Sequence, residues 1–362
     1  MRVLVIGNGS TGIDNNEKFF INNHTGDFLL KIKEFHDVTF VQNVTKFDSN
    51  NNLQNFDLKS NAIKHELIHN NKSFNGLFRL FRLIKKSDFI YIFFPGTLGR
   101  IAGLISIILK KRTGLYIRGQ YYKQYKLDEN ILRSIKFILT VSPHFISDLT
   151  TYCDDVEIIT PMISIKKEDL FLDRDYSKPE KWNLLFVGRV EERKGIYELL
   201  EIASFLKQRN IEFTLNIIGG GDLYSQMGNL IANKGLENDV KLHGQISDKD
   251  VLMNFYRAAN AFIFTSHDEG FPRVLYEAMA SSLPIFTTFV GGIPGRMISK
   301  YNCIEIPCKN GEGSGEIVFN GLSDLKLMSQ IGTQGQNTIS DIINGDSLRH
   351  EQLLLNKLAK LS

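Results

Sequence analysis

Residues 261–294 read AFIFTSHDEGFPRVLYEAMASSLPIFTTFVGGIP, and this stretch narrows the fold more than any other in the chain. Ala261 to Thr265 is a short apolar, aromatic run suited to a buried strand, and the polar residues 266–270 break it. Pro272 fits the first turn of a helix, where its missing N–H costs nothing, and Val274, Leu275, Ala278 and Met279 give that helix an apolar face. Pro284 ends the helix, and residues 285–288 begin a second, parallel strand. Two carboxylates are placed by this reading. Glu269 is on the loop at the first strand's carboxyl end, and Glu277 is inside the helix. That edge of an open α/β sheet, near helix amino termini, is where ligands bind; the plain alternative is a glutamate pair on a solvated helix face.

The same strand–loop–helix unit recurs along all 362 residues, which is too long a chain for one core and predicts two doubly wound α/β domains. The first half alternates strands at 2–6, 38–41, 89–94, 115–118, 137–141 and 156–159 with helices. The second begins with a strand at 182–187, followed by others at 213–218 and 240–242. The expected boundaries are a first domain at 1–165, a charged linker at 166–181, a second domain at 182–340, and a last helix at 341–362 whose leucines pack back on the first domain. Residues 311–315, glycine-rich, read as a flexible loop. Residues 89–109 are long enough to cross a bilayer, but Pro95 and Gly96 interrupt them, so strand, turn and buried helix is the reading taken.

In the second half, Gly188 and Arg189 end one strand, and Lys194 with Gly195 opens the next helix. Two cations beside free helix N–H groups make a diphosphate site, against the alternative of exposed basic residues among acids. Gly219 and Gly244 end the next two strands and would flank a nucleobase and ribose. Ser247 with Asp250 is read as capping the helix that leads to Ala261. Asp173-Arg-Asp175 and Asp248-Lys-Asp250 both fit a metal-binding D-x-D, yet neither follows a buried strand, so they read as linker charge and a cap.

The ordered phrases G-R-x5-K-G (188–195), E-G-F-P (269–272), E-A-M-A (277–280) and G-G-I-P (291–294) resemble the donor site of the GT-B glycosyltransferases, in particular the retaining family 4, whose E-x7-E is matched by Glu269 and Glu277. The resemblance implies two Rossmann-like domains with parallel sheets facing a central cleft. It implies that Arg189, Lys194 and Glu269 are catalytic, the two cations holding the donor's pyrophosphate and Glu269 the sugar hydroxyls. Glu277 would hold the ribose, with Gly188, Gly219, Gly244, Gly270 and Phe271 around the donor. It further implies retention of anomeric configuration, a UDP- or GDP-linked sugar as substrate, and neither metal nor separate cofactor. Ser142-Pro143 resembles the serine-led helix of that family, and residues 161–164 replace its usual P-N-G-type turn. The family's usual first-half histidine has no counterpart in context among His24, His36, His65, His69 and His144.

The first half carries a different signal. Residues 7–12, GNGSTG, fit the dinucleotide fingerprint G-x-G-x-x-G, but the second strand ends in Gln42-Asn43 where an acid would hold a ribose, which argues against NAD. Gly9 and Gly12 therefore read as a tight turn or as backbone brought close to a ligand, and the resemblance favours the latter; Arg118, at a strand end, would point into the same cleft. Residues 1–165 hold 21 Lys and Arg against 15 Asp and Glu, and residues 72–136 hold 14 against 3. Interleaved Phe74, Leu77, Phe78, Leu80, Phe81 and Leu83 make an anionic membrane surface a better expected partner than nucleic acid. The absence of a leader-like start and the three unevenly spaced cysteines suit the cytoplasm, peripheral at the membrane's inner face.

The expected activity is transfer of a hexose-type sugar to a glycan or lipid-linked acceptor, in bacterial surface polysaccharide synthesis. A GT-B epimerase or a non-catalytic partner subunit would use much of the same site.

Overall fold

The computed structural model describes residues 1–47, 55–68, 74–117, 126–141, 143–159, 165–294, 296–345 and 349–361. In chain order the elements are β1 (Arg2–Ile13), β2 (Phe19–Ile21), α1 (Asn23–Lys33), β3 (Asp37–Lys46), β4 (Phe56–Asp57), β5 (Lys64–Ile68), α2 (Phe74–Lys86), β6 (Phe89–Phe94), α3 (Thr97–Ile108), β7 (Arg112–Ile117), α4 (Lys126–Ser134), β8 (Phe137–Thr140), α5 (Ile146–Leu149) and β9 (Val156–Ile158). They continue with β10 (Trp182–Val187), α6 (Ile196–Gln208), β11 (Phe213–Ile218), α7 (Met227–Asn233), β12 (Val240–Gly244), α8 (Lys249–Ala258), β13 (Ala261–Phe264), α9 (Arg273–Ala280), β14 (Ile285–Thr288), β15 (Ile304–Ile306), α10 (Gly311–Ser323), α11 (Leu325–Asn344) and α12 (His350–Leu361). The chain divides into two compact units, Met1–Ser164 with Ser347–Ser362, and Ile165–Asp346.

In the first unit a parallel sheet runs β5-β3-β1-β6-β7-β8-β9, and β2 and β4 extend it antiparallel from the far end of β1. β6, Phe-Ile-Tyr-Ile-Phe-Phe, is buried at every position, as a central parallel strand covered on both faces must be. One face is closed by Phe28, Leu29 and Ile32 of α1 together with Leu353, Leu354 and Leu358 of α12. The other is closed by Leu80 and Ile84 of α2, Leu98 and Ala102 of α3, and Ile131 and Leu132 of α4. α12 is further tied by Lys357, which pairs with Asp155 and Glu157, and by His350, whose Nε2 lies 2.6 Å from the Tyr91 hydroxyl. Burial pushes His350 down to about 3, so the ring is neutral there. No helix among the described residues is long and apolar enough to cross a membrane.

The glycine stretch at 7–12 is not a strand-to-helix turn. β1 runs straight through it to Ile13, with a register shift against β3 between Ile6 and Ser10, and α1 starts only at Asn23 behind an Asn22 N-cap. Residues 19–21, within the 16–35 run whose pattern reads as a helix directly after the glycines, instead pair with the end of β1. Packing explains two of the glycines: a Cβ on Gly7 would come within 2.9 Å of the Phe40 ring, and one on Gly9 within 2.8 Å of the Gln42 amide. With its amide oriented to satisfy its neighbours, Gln42 accepts from the Gly9 and Ser10 N–H groups and donates to Thr11.

In the second unit six strands are all parallel, in the order β12-β11-β10-β13-β14-β15. Residues 165–181 are packed onto this unit: Arg174 donates to the carbonyls of Tyr256, Ala259 and Ser281, Tyr176 to Ser282, and the Phe171 N–H to Ala280. Gly311 and Gly315 are not a loop but the first turns of α10, capped by the Asn310 side chain. Their bare faces let α10 lie against α6, where a Cβ on Gly315 would approach Phe205 to 2.7 Å.

This contact yields a paired test. Gly315→Ala gains about 1 kcal/mol of helix propensity but overpacks the contact by roughly 1–3 kcal/mol, so a net loss of stability is expected on denaturant unfolding. Gly228→Ala in α7, where a Cβ meets nothing within 4 Å, is expected to stabilise by up to about 1 kcal/mol.

Candidate functional site

Strand order reverses between β10 and β13, because β11 and β12 lie on one side of β10 while β13 to β15 lie on the other. Loops leaving the carboxyl ends of two such strands diverge to opposite faces and open a crevice, the usual ligand position in an open α/β sheet. The loops here are 188–195 and 265–272, and backbone and side-chain bonds stitch them together. Thr265 Oγ1 donates to Lys194 O at 3.0 Å, Ser266 Oγ to Arg193 O at 3.2 Å, and the His267 N–H to Arg193 O at 2.8 Å. Gly195 is in the left-handed region (φ 69°), and a Cβ there would lie 2.1 Å from the Thr265 carbonyl oxygen, so only glycine fits.

This stitching brings together Lys194 and Glu269, 75 positions apart in sequence, as an ion pair. Both side chains are largely buried, 16% and 11% exposed. Breaking such a pair by removing one partner leaves a buried charge uncompensated, so Lys194 and Glu269 depend on each other. Arg189 is 62% exposed at the end of β10 and pairs at 3.1 Å with Glu191, which Arg193 also reaches at 3.2 Å. Glu191 is buried and holds both arginines at this edge, a role that sequence reasoning missed although the acid lies inside the G-R-x5-K-G run.

Glu277 lies in α9, and its Oε2 accepts from the Tyr256 hydroxyl of α8 at 2.8 Å. Burial raises its carboxyl above the ordinary value, and the Tyr256 hydrogen bond and the charge of Arg273 oppose this only in part. The two glutamates of the E-x7-E pattern thus differ in surroundings: one is neutralised by a cation, the other rests on a tyrosine hydroxyl. Tyr256 was not singled out from sequence; its only signal was an aromatic residue on the apolar face of α8.

The strand-end glycines form a row along the same edge. The Gly188 N–H donates to Ile218 O at 3.0 Å and the Gly219 N–H to Gly244 O at 2.7 Å. Gly219 has φ 141°, and a Cβ there would meet the Gly188 carbonyl oxygen at 1.8 Å. Gly270 and Phe271 follow Glu269 in the second loop, with the Phe271 ring 4.6 Å from that of Tyr276. His267 is held by Glu198 at 2.9 Å. Gly9 and Gly12 belong to β1 in the first unit. Arg118 and Ser142 lie outside the described residues. Asp248, not Ser247, caps α8, accepting from the N–H groups of Asp250 and Val251, and Asp175 closes a turn onto Ser177.

Residues 171–338 match the family described as Glycosyl transferases group 1. Over 234 residues the chain is 26% identical to an uncharacterized glycosyltransferase of Methanocaldococcus jannaschii, covering 65% of this chain and 60% of the relative. Over 135 residues it is 36% identical to the amylovoran biosynthesis glycosyltransferase AmsK of Erwinia amylovora, covering 32% of this chain and 33% of that one. The matches therefore span between a third and three-fifths of these relatives' lengths. Among solved structures, that of HepE of Anabaena in complex with UDP superposes with a TM-score of 0.72 at 15% identity, over 99% of this chain and 100% of that one.

The raised Glu277 carboxyl has a definite sign. The folded protein keeps its proton to higher pH than the unfolded chain does, so stability falls as pH rises from about 4.3, the ordinary glutamate value, through the folded value. Glu277→Gln is therefore expected to raise the melting temperature of the unliganded protein at neutral pH, with a gain that fades below about pH 4. Gly195→Ala should destabilise by on the order of 1–3 kcal/mol from backbone strain, before counting its clash with Thr265.

Proposed function

We propose, on the match of residues 171–338 to the glycosyl transferases group 1 and on the chain's GT-B fold, that the protein transfers a hexose-type sugar from a nucleoside diphosphate sugar to a glycan or lipid-linked acceptor. The observation that carries the reading is the Lys194–Glu269 pair beside Arg189 at the point where strand order reverses. A departing diphosphate needs fixed positive charge in a site shielded from water, and a developing oxocarbenium-like sugar needs an anion near it. Lys194 and Arg189 supply the first and Glu269 the second.

Lys194 would lie between Glu269 and the donor's phosphates, so the pair that neutralises it in the free protein also aims its Nζ at the leaving group. Glu277 takes Tyr256 on Oε2, which leaves Oε1 to accept from a ribose hydroxyl. Gly188, Gly219 and Gly244 keep Cβ atoms off the edge along which the nucleoside would lie. By the same resemblance the first unit holds the acceptor, and Gly9, Gly12 and Arg118 are its candidate contacts to the bound ligands. UDP is the favoured nucleotide, by analogy with the UDP complex of HepE, and GDP is the second choice. Retention of configuration follows from the family 4 resemblance. Likeness to an amylovoran biosynthesis glycosyltransferase supports a place in bacterial surface polysaccharide synthesis. The chemistry needs no bound metal.

The test is thermal unfolding with UDP, GDP, ADP and NAD, in the wild type and in Lys194→Ala. A nucleotide at about a hundred times its Kd stabilises by roughly 2.7 kcal/mol, a shift of a few degrees. A shift with UDP or GDP that disappears in Lys194→Ala is expected; a shift with NAD alone would refute the donor site. Once an acceptor is found, Arg189→Ala or Lys194→Ala should each lower kcat by about 30- to 1,000-fold, equivalent to roughly 2–4 kcal/mol of lost charge stabilisation.

A further inference from the structure

Helices α2 and α3 lie side by side over one face of the first unit's sheet, and the surface of α2 is apolar and cationic at once. α2 turns Gly76, Leu80 and Ile84 inward, while Phe74 and Phe78 are 82% and 52% exposed. Their rings stack on each other one helical turn apart, 6.4 Å between centroids, and the Arg82 guanidinium lies 5.9 Å from the Phe78 ring centre. At 3.6 residues per turn, Phe74, Leu77, Phe78 and Phe81 share one strip, and Arg79, Arg82 and Lys86 the next. Neither α2 nor α3 contains Asp or Glu.

The positive strip continues beyond the helix. Lys111 Nζ donates to the carbonyls of Lys85 and Ser87, which joins the end of α2 to the segment after α3, and Ile108 there is 74% exposed. Next to it a cavity of about 380 Å³ is lined by Lys110, Arg112 and Lys136 and by no carboxylate. Part of this charge has a local cause, since cations are favoured at helix carboxyl ends. That account covers Lys85, Lys86 and Lys110, but not Arg79, Arg82 or the exposed phenylalanines.

We propose that this face of α2 and the end of α3 bind an anionic lipid bilayer surface, with Phe74 and Phe78 entering the interface and Arg79, Arg82, Lys85 and Lys86 on the headgroups. A polyanion would satisfy the cations alone, whereas a bilayer also takes the apolar strip out of water. A helix of 13 residues lies on such a surface and does not cross it.

The experiment is co-sedimentation of the full chain with phosphatidylcholine vesicles and with vesicles containing phosphatidylglycerol, at low and high salt. Binding to the anionic vesicles alone is expected, weakening as salt rises. Phe74→Ser with Phe78→Ser should weaken it by roughly tenfold or more, the loss of two partly inserted aromatic rings. Arg79→Gln with Arg82→Gln should weaken it by on the order of fivefold per cation and flatten the salt dependence. All four side chains are exposed, so both variants should melt as the wild type does, which separates lost binding from lost folding. Failure to bind anionic vesicles, equal binding to phosphatidylcholine alone, or retention of full affinity by both variants would overturn the proposal. So would capture by single-stranded nucleic acid with vesicles ignored. No sugar donor is needed, so this result stands apart from the transferase reading.

Discussion

The second unit's chemistry depends on one close approach, the Gly195 backbone against the Thr265 carbonyl. Two strands that are neighbours in the sheet but far apart in sequence send their loops to opposite faces, and nothing in that topology alone makes the loops touch. A left-handed residue with no side chain lets them touch. Once they do, three hydrogen bonds lock residues 193–194 to residues 265–267, and Lys194 meets Glu269 in a place where neither could be buried alone. The positions of the candidate donor-binding groups are thus set by backbone contact, and the charges are placed as a consequence.

The glutamates show how the surroundings give one residue type two characters. Glu269 is paired with the Lys194 cation in a nearly closed site. Glu277 takes a tyrosine hydroxyl on its carboxylate, with the positive charge of Arg273 and Lys249 near it, and burial outweighs them. A group that is strained while the site is unliganded and relieved by hydroxyl donors has more to gain from a ligand, so stability is given up where binding is needed.

The parts of the fold that were legible in sequence are those whose burial is two-sided. β6, β10 and β11 begin and end where their apolar runs do, because central parallel strands cannot alternate. What escaped depends on distant partners. The extension of β1 through its glycines needs Phe40 and Gln42, some 30 positions on, to explain why side chains are excluded there. The start of α10, residues 311–315, looked like a loop because glycine is a poor helix former, yet Gly311 and Gly315 are where α6 presses closest, and packing overrides propensity. The site followed the same rule in part. Lys194, Glu269 and Glu277 could be named from local phrases, and Tyr256 acts through a contact 21 positions away that no short pattern records. Glu191, two residues from each of its arginines, was within reach of the local phrase and was passed over because an acid there contradicts a purely cationic reading.

The first unit is discontinuous in the chain. Its sheet is laid down before residue 160, but one face has only α1 over it until α12, almost two hundred residues later, delivers Leu353, Leu354, Leu358 and the neutral His350 against Phe28 and Tyr91. On a ribosome, the second unit therefore has all its strands and helices available before the first can close. A nascent chain would carry an aromatic, half-open core through most of its synthesis, the kind of exposed apolar surface that chaperones bind.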